Sequence, residues 1–154
     1  MAQSFYLTKQ GLRKLKKEYE RLKKIRSSKL KAGIPKILHS EDVNPEYLSF
    51  KEEFNILESR LEELENIFKH AQIITPPPRN KRDVIDLGAK VVVEIDGQTD
   101  RFEIVGTLEA NPILGKISNE SPVGRALLGH RVGDEVCVSS PLQVIYKIKE
   151  IKYS

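Results

Sequence analysis

The stretch FNILESRLEELENIFKHA, residues 54–71, has the clearest structural pattern in the chain. Its apolar residues recur at alternating intervals of three and four, at Phe54, Leu57, Leu61, Leu64, Phe68 and Ala71. This spacing puts them on one stripe of an α-helix and is typical of a coiled-coil seam. The pattern therefore predicts a long helix whose apolar stripe needs a second helix to cover it.

The preceding residues predict that second helix. A basic segment, Lys9 to His39, also has apolar residues at helical spacing, and Thr8 is a suitable N-cap for it. The acidic second segment runs from Asn44 to Gln72, and Asn44-Pro45-Glu46 gives it a cap, a proline in the first turn and an early acid. Because few residues separate the segments, the helices are expected to fold back as an antiparallel hairpin.

Charge is distributed unevenly along the chain. Residues 1–40 contain 12 Lys and Arg against 2 Asp and Glu, whereas residues 41–75 contain 3 against 9. Residues 76–154 are balanced, with 11 of each. Opposite charges on facing helices favour their pairing, and the positive surplus on the hairpin is suited to a polyanion.

After the proline-rich stretch the sequence predicts a different kind of unit. It predicts two strands, Ala89–Ile95 and Arg101–Val105, joined by an Asp96-Gly97 turn and followed by further short strands. Ser121-Pro122 opens one short helix. The predicted class is α+β: a helical hairpin at 1–75, a linker at 76–83, and an antiparallel sheet with one short helix at 84–154.

The sequence contains no common catalytic constellation, such as a glycine-rich phosphate loop or metal-spaced cysteines and histidines. Glu41 and Asp42 are adjacent carboxylates at the predicted hairpin tip. Alone they predict a weak, hydrated cation site, but with a partner's carboxylates they could hold a second Mg²⁺ for phosphoryl transfer. The alternative is a solvated polar loop.

Four stretches resemble the bacterial transcript cleavage factors GreA and GreB. They are YLTKQGLRKLKKEYERL at 6–22, NPEY at 44–47, HAQII at 70–74 and ISNESPVGRALLGHRVGDEV at 117–136. The resemblance implies a coiled-coil hairpin followed by an FKBP-like domain. It also implies an accessory transcription elongation factor, not an enzyme, that stimulates cleavage of backtracked transcripts by RNA polymerase.

The same resemblance implies partners and site residues. The C-terminal domain would dock at the rim of the polymerase secondary channel through Glu120, Ser121 and Pro122. Asp42 and Glu41 would be the catalytic acids, would share Mg²⁺ with the polymerase active centre, and would lie near the nascent RNA 3′ end. A cytoplasmic monomer without membrane contact is expected.

The chain departs from the family at the tip. The family has an Asp followed three residues later by Glu, within GDLKENAEY, whereas this chain reads EDVNPEY at 41–47. Asp42 matches the family's Asp, the second acid is missing, and Glu41 is the nearest replacement. A channel-binding regulator without cleavage activity is therefore the alternative function. A proline isomerase and a non-specific nucleic-acid binder are hypotheses from other classes.

Overall fold

The computed structural model describes residues 4–33, 45–139 and 143–153. These residues form two compact units, one made of Met1–Gly11 with Ala71–Ser154 and the other of Leu12–His70. Glu41 and Asp42 lie outside the described residues. None of the helices within the described ranges is both long and apolar enough to cross a membrane.

The elements follow one another as strand, two helices and then mostly strands. In chain order they are β1 (Phe5–Leu7), α1 (Lys9–Ala32), α2 (Pro45–His70), β2 (Ala71–Ile73), β3 (Lys90–Ile95), β4 (Gln98–Val105), β5 (Lys116–Ser118), α3 (Pro122–Leu127), β6 (Glu135–Val138) and β7 (Val144–Lys152). Three 3₁₀ turns lie at Arg79–Lys81, Thr107–Glu109 and Pro112–Leu114.

Helices α1 and α2 form the predicted hairpin. The buried residues of α2 are Leu57, Leu61, Leu64 and Ile67. The predicted seam is correct at its three leucines and at Phe68, which contacts α1, whereas Ala71 lies beyond the helix in β2. Ile67, which was not predicted as a seam residue, is also buried. Phe68 packs edge-on against the ring of Tyr19, with ring centroids 5.4 Å apart.

Ion pairs join the two helices and confirm the expected pairing of opposite charges. Arg60 donates two hydrogen bonds to the carboxylate of Glu18, at 2.8 and 3.0 Å. Nearer the other end, Lys29 lies 2.7 Å from a carboxylate oxygen of Glu53. Because positions increase along α1 while their partners decrease along α2, the helices are antiparallel.

The Glu18–Arg60 pair predicts a component of acid sensitivity. The hydrogen bonds from Arg60 hold the pKa of Glu18 below its ordinary value. A lowered folded-state pKa stabilises the fold above the ordinary carboxylate pKa, and this stabilisation is lost as pH falls through the folded-state value. We expect acidification from roughly pH 6 to pH 3 to cost the wild type about 0.5–1 kcal/mol more than Glu18→Gln.

The measurement is the free energy of unfolding by denaturant at each pH. Glu20→Gln is the matched control, because Glu20 is exposed on the same helix and has no ion pair within the described part of the chain. Equal acid sensitivity of the wild type and Glu18→Gln would contradict the assignment.

The larger sheet has the strand order β5-β4-β3-β7-β6. The predicted Asp96-Gly97 turn joins β3 to β4, and both residues have positive φ, at 49° and 79°. The predicted antiparallel pairing is confirmed for β4-β3-β7-β6, but β5 runs parallel to β4, so the sheet is mixed. The connection 106–115 contains two 3₁₀ turns. It brings the chain back along the sheet, so that β5 runs in the same direction as β4.

A second difference lies at the end of α2. The helix was predicted to reach Gln72 but ends at His70, and the next three residues form β2. Strand β2 pairs in parallel with β1, and the N–H of Ile74 donates to the carbonyl of Leu7 at 2.8 Å. Leu7 is fully buried, so the pairing is part of the packed core.

One hydrophobic core unites the larger sheet and α3. Its buried members are Ile85, Ala89, Val91, Val93, Ile104, Leu127, Val136, Val138 and Ile148. Leu127 is the buried side chain through which α3 joins this core. At the start of α3, the half-buried Val123 also packs against this core, next to the predicted docking residues.

Candidate functional site

The three predicted docking residues lie together where the chain leaves β5 and enters α3. We call Ser118–Pro122 the docking loop. Ser121 is half-buried, whereas Glu120 and Pro122 are exposed. The loop therefore presents an acid and a proline ring to solvent on either side of a partly buried serine.

Ser121 fixes the shape of the docking loop. As the predicted N-cap of α3, its hydroxyl accepts a hydrogen bond from the N–H of Gly124 at 3.0 Å. The same hydroxyl donates to the carbonyl of Ser118 at 2.7 Å. One side chain thus satisfies a free helix N–H and closes the loop at the same time.

Glu120 is positioned by its neighbours although it is exposed. Its backbone N–H donates to the hydroxyl of Ser118 at 3.1 Å. Its carboxylate accepts a hydrogen bond from the hydroxyl of Thr107 at 3.1 Å. A fixed, exposed carboxylate beside a proline ring is suited to a protein partner that offers a cation and an apolar contact.

Gly124 allows α3 to approach the docking loop closely. A Cβ at this position would overlap the backbone carbonyl oxygen of Ser118. Gly124 is buried, and its N–H is the one that Ser121 caps. Only a residue without a side chain allows this contact between helix and loop.

A further carboxylate, Glu109, was missed by the sequence reasoning. Its two oxygens accept hydrogen bonds from the N–H of Thr8 at 2.7 Å and from the Thr8 hydroxyl at 2.6 Å. The Thr8 hydroxyl also accepts from the N–H of Gly11 at 3.0 Å, which confirms Thr8 as the N-cap of α1. Glu109 and Thr8 are 101 residues apart, so no local signal predicts the contact.

The arrangement resembles a capping box whose acid comes from another element. In an ordinary capping box the third helical residue supplies the carboxylate. Here that position is Gly11, and a Cβ on Gly11 would overlap the carboxylate of Glu109. The missing side chain therefore leaves the space that Glu109 occupies.

We expect Glu109→Ala to lower the free energy of unfolding by about 2–3 kcal/mol, because two charge-assisted hydrogen bonds are lost and Thr8 keeps unsatisfied donors. Chemical denaturation measures this. Glu62→Ala is the control, since Glu62 is exposed and has no side-chain ion pair or hydrogen bond within the described ranges. In a double-mutant cycle, Thr8→Ala should cost less in the Glu109→Ala background than in the wild type, because only its cap hydrogen bond to Gly11 is then left to lose. Full additivity of the two changes would rule out the contact.

The exposed surface of α1 is strongly basic. Its exposed cations without an ion pair in the described part of the chain are Lys9, Arg13, Lys14, Lys16, Lys17, Arg21, Lys23, Lys24 and Lys31. Such a run of cations attracts polyanions through long-range electrostatics. Residues 4–33, 45–139 and 143–153 contain no group of three potential metal-ligating side chains.

Comparison with known proteins places the whole chain in one family. Residues 5–73 match the family described as "Transcription elongation factor, N-terminal", and residues 79–153 match "Transcription elongation factor, GreA/GreB, C-term". The predicted resemblance is thereby confirmed in both halves of the chain.

Individual relatives agree with this assignment. The chain is 40% identical to transcription elongation factor GreA of Thermomicrobium roseum, over 88% of each chain. It is 42% identical to the GreA of Clostridium acetobutylicum, over 96% of each. Among solved structures it is 30% identical to GreA factor homolog 1 of Thermus thermophilus, with 97% of this chain and 99% of that chain covered and a TM-score of 0.43.

These matches extend over nearly the full length of this chain and of its relatives. They confirm the expected accessory role in transcription, as opposed to an enzyme. The chain belongs to the GreA/GreB family of transcription elongation factors.

Proposed function

We propose that this chain binds RNA polymerase at the rim of its secondary channel and stimulates cleavage of backtracked transcripts by the polymerase. The observation that supports this most is the match of both family domains, in order, over residues 5–153. We further propose that the chain acts as a cytoplasmic monomer with the predicted division into 1–75, 76–83 and 84–154.

The docking loop is the proposed contact with polymerase. Glu120 is exposed and held by Thr107, and Pro122 is exposed at the start of α3. A partner that pairs a cation with Glu120 and packs on Pro122 would meet a surface that is already ordered. Preorganisation of this kind lowers the entropy lost on binding.

Asp42 and Glu41 are the proposed contribution to the chemistry. Carboxylate oxygens are the ligands that Mg²⁺ prefers, but two carboxylates do not complete its octahedral shell. The remaining ligands would come from the polymerase, so the ion would be shared. Once bound there, Mg²⁺ would supply a water activated for attack on the RNA phosphodiester. Both carboxylates would help hold the ion, with Asp42 as the main ligand and Glu41 assisting it.

The basic surface of α1 is the proposed contact with the nascent RNA 3′ end. Its unpaired cations would neutralise RNA phosphates and raise the rate of encounter. Binding through these residues should weaken steeply with salt, as expected when counterions are released from a nucleic acid.

One observation favours a second function, a channel-binding regulator without cleavage activity. The tip sequence Glu41-Asp42-Val43-Asn44-Pro45 lacks a second acid three residues after Asp42. With fewer carboxylates, Mg²⁺ would be held more weakly. Such a chain would occupy the channel without accelerating cleavage.

Stalled, backtracked elongation complexes of the chain's own polymerase separate the two functions. The experiment adds the chain and measures both its binding and the release of short 3′ RNA fragments. We expect binding together with release. Binding without release would establish the regulator instead, and absence of binding would contradict both.

A further inference from the structure

A row of charged side chains crosses the outer face of the larger sheet. The strand registers place Lys116 of β5 beside Glu103 of β4. Glu103 lies in turn beside Lys90 of β3, and Lys90 lies beside Lys152 of β7. Residues paired across neighbouring strands point to the same side of a sheet. Since Val91, next to Lys90, is buried, these four residues face away from the core, and we call them the lysine row.

The lysine row contains more positive charge than its own carboxylate balances. Lys152 forms an ion pair with Glu150 at 3.1 Å. Lys90 and Lys116 have no side-chain ion pair or hydrogen bond among the residues that the structure describes. Like charges directly opposite each other destabilise a sheet, and Lys90 and Lys152 are such a pair. A bound carboxylate between them would relieve this repulsion.

Two cavities adjoin the lysine row, and both include Lys90 and Glu103. The larger has a volume of about 630 Å³, and its further lining includes Lys9, Ile74, Pro76 and Tyr153. The smaller has a volume of about 290 Å³, and its further lining includes Arg101, Phe102 and Leu114. Leu114 is 70% exposed. Cationic and apolar groups are therefore available side by side.

We propose that the lysine row and its two cavities bind a short acidic segment of a protein partner. Four strands spaced about 4.8 Å apart give the row a length of about 14 Å, which about four residues of extended polypeptide would span. Acidic side chains of the segment would pair with Lys90 and Lys116, and apolar ones would enter the cavities.

Two observations favour a polypeptide over a nucleic acid. Glu103 lies inside the row and Glu150 beside it, so a continuous phosphate backbone would meet two carboxylates. The cavities are also lined by the apolar residues Ile74, Pro76 and Leu114. These residues would make favourable contacts with aliphatic side chains but not with phosphate groups. The surface is thus complementary in charge and polarity to a peptide with both acidic and apolar residues. The proposal depends neither on the tip nor on the docking loop.

The test is an NMR titration of the full-length ¹⁵N-labelled chain with a synthetic peptide of the repeat Glu-Glu-Leu-Leu, which puts acidic and apolar side chains on the same side of an extended segment. We expect the backbone amide signals of Lys90, Glu103 and Lys116 to shift, and the affinity to fall as salt is raised. Lys90→Glu should weaken binding about tenfold, since it replaces an attraction by a repulsion. Lys147→Glu, an exposed change on the outer side of β7 away from the row, should leave the affinity unchanged.

Three outcomes would overturn the proposal. The first is that the signals of the row do not shift. The second is that a peptide with Gln in place of Glu binds equally well, or that Lys147→Glu costs as much affinity as Lys90→Glu. The third is that a single-stranded RNA oligonucleotide shifts the same signals at lower concentration than the peptide, which would assign the row to nucleic acid.

Discussion

Asp42→Ala is expected to lower the maximal rate of stimulated transcript cleavage about 100-fold while leaving polymerase binding unchanged. A 100-fold fall in rate is typical when one group that stabilises charge at a reacting centre is removed. Binding is expected to persist because the docking loop, with Glu120 and Pro122, belongs to a different compact unit from α2. The measurement is the rate of 3′ fragment release at saturating concentration of the chain.

Two further variants make the Asp42 prediction specific. Glu41→Ala should have a smaller effect on the cleavage rate, because Asp42, the main proposed ligand, would remain. Glu52→Ala is the control, since Glu52 is an exposed acid on α2. If all three variants slowed cleavage equally, the general negative charge of residues 41–75 would be responsible and Asp42 would have no particular role.

Gly124→Ala is expected to raise the concentration of the chain needed for half-maximal binding to polymerase at least tenfold. The added Cβ would overlap the carbonyl oxygen of Ser118. Because this oxygen belongs to the backbone, it cannot rotate away as the end of a flexible side chain can. The docking loop must therefore shift. A displacement of this kind costs about 1–3 kcal/mol, as overpacking does elsewhere. Fluorescence anisotropy with labelled chain measures the change in affinity.

A milder variant keeps this prediction testable if Gly124→Ala unfolds the unit. Ser121→Ala removes the cap of α3 and the hydrogen bond to Ser118 but adds no atoms. We expect it to cost about 1 kcal/mol of stability and to weaken polymerase binding to a lesser degree. Wild-type affinity in both variants would show that the shape of the docking loop is irrelevant to binding.

Much of the fold follows from local patterns. The spacing of Leu57, Leu61 and Leu64 reflects helix geometry and predicts the buried face of α2 directly. Asp96-Gly97 predicts its turn because few residues adopt positive φ at both positions. Ser121-Pro122 predicts the start of α3, because serine favours the N-cap position and proline favours the first position of a helix.

Long-range contacts were not predictable in the same way. The pairing of β1 with β2 ends α2 two residues early, and this depends on strands far apart in the sequence. The same holds for Glu109, whose partner Thr8 is identifiable as a cap although the source of the carboxylate is not. The contact of Phe68 with the Tyr19 ring likewise depends on a residue of the other helix. Asp42 and Glu41 stay predictions, because they lie outside the described residues.

Docking and chemistry are proposed to depend on different parts of the chain. The most direct test is the cleavage rate of backtracked complexes as a function of concentration, for the wild type, Gly124→Ala and Asp42→Ala. We predict that Gly124→Ala reaches the wild-type maximal rate at higher concentration, and that Asp42→Ala binds at the wild-type concentration with a maximal rate about 100-fold lower. A wild-type maximal rate for Asp42→Ala, or no stimulation by the wild type at any concentration, would contradict the account.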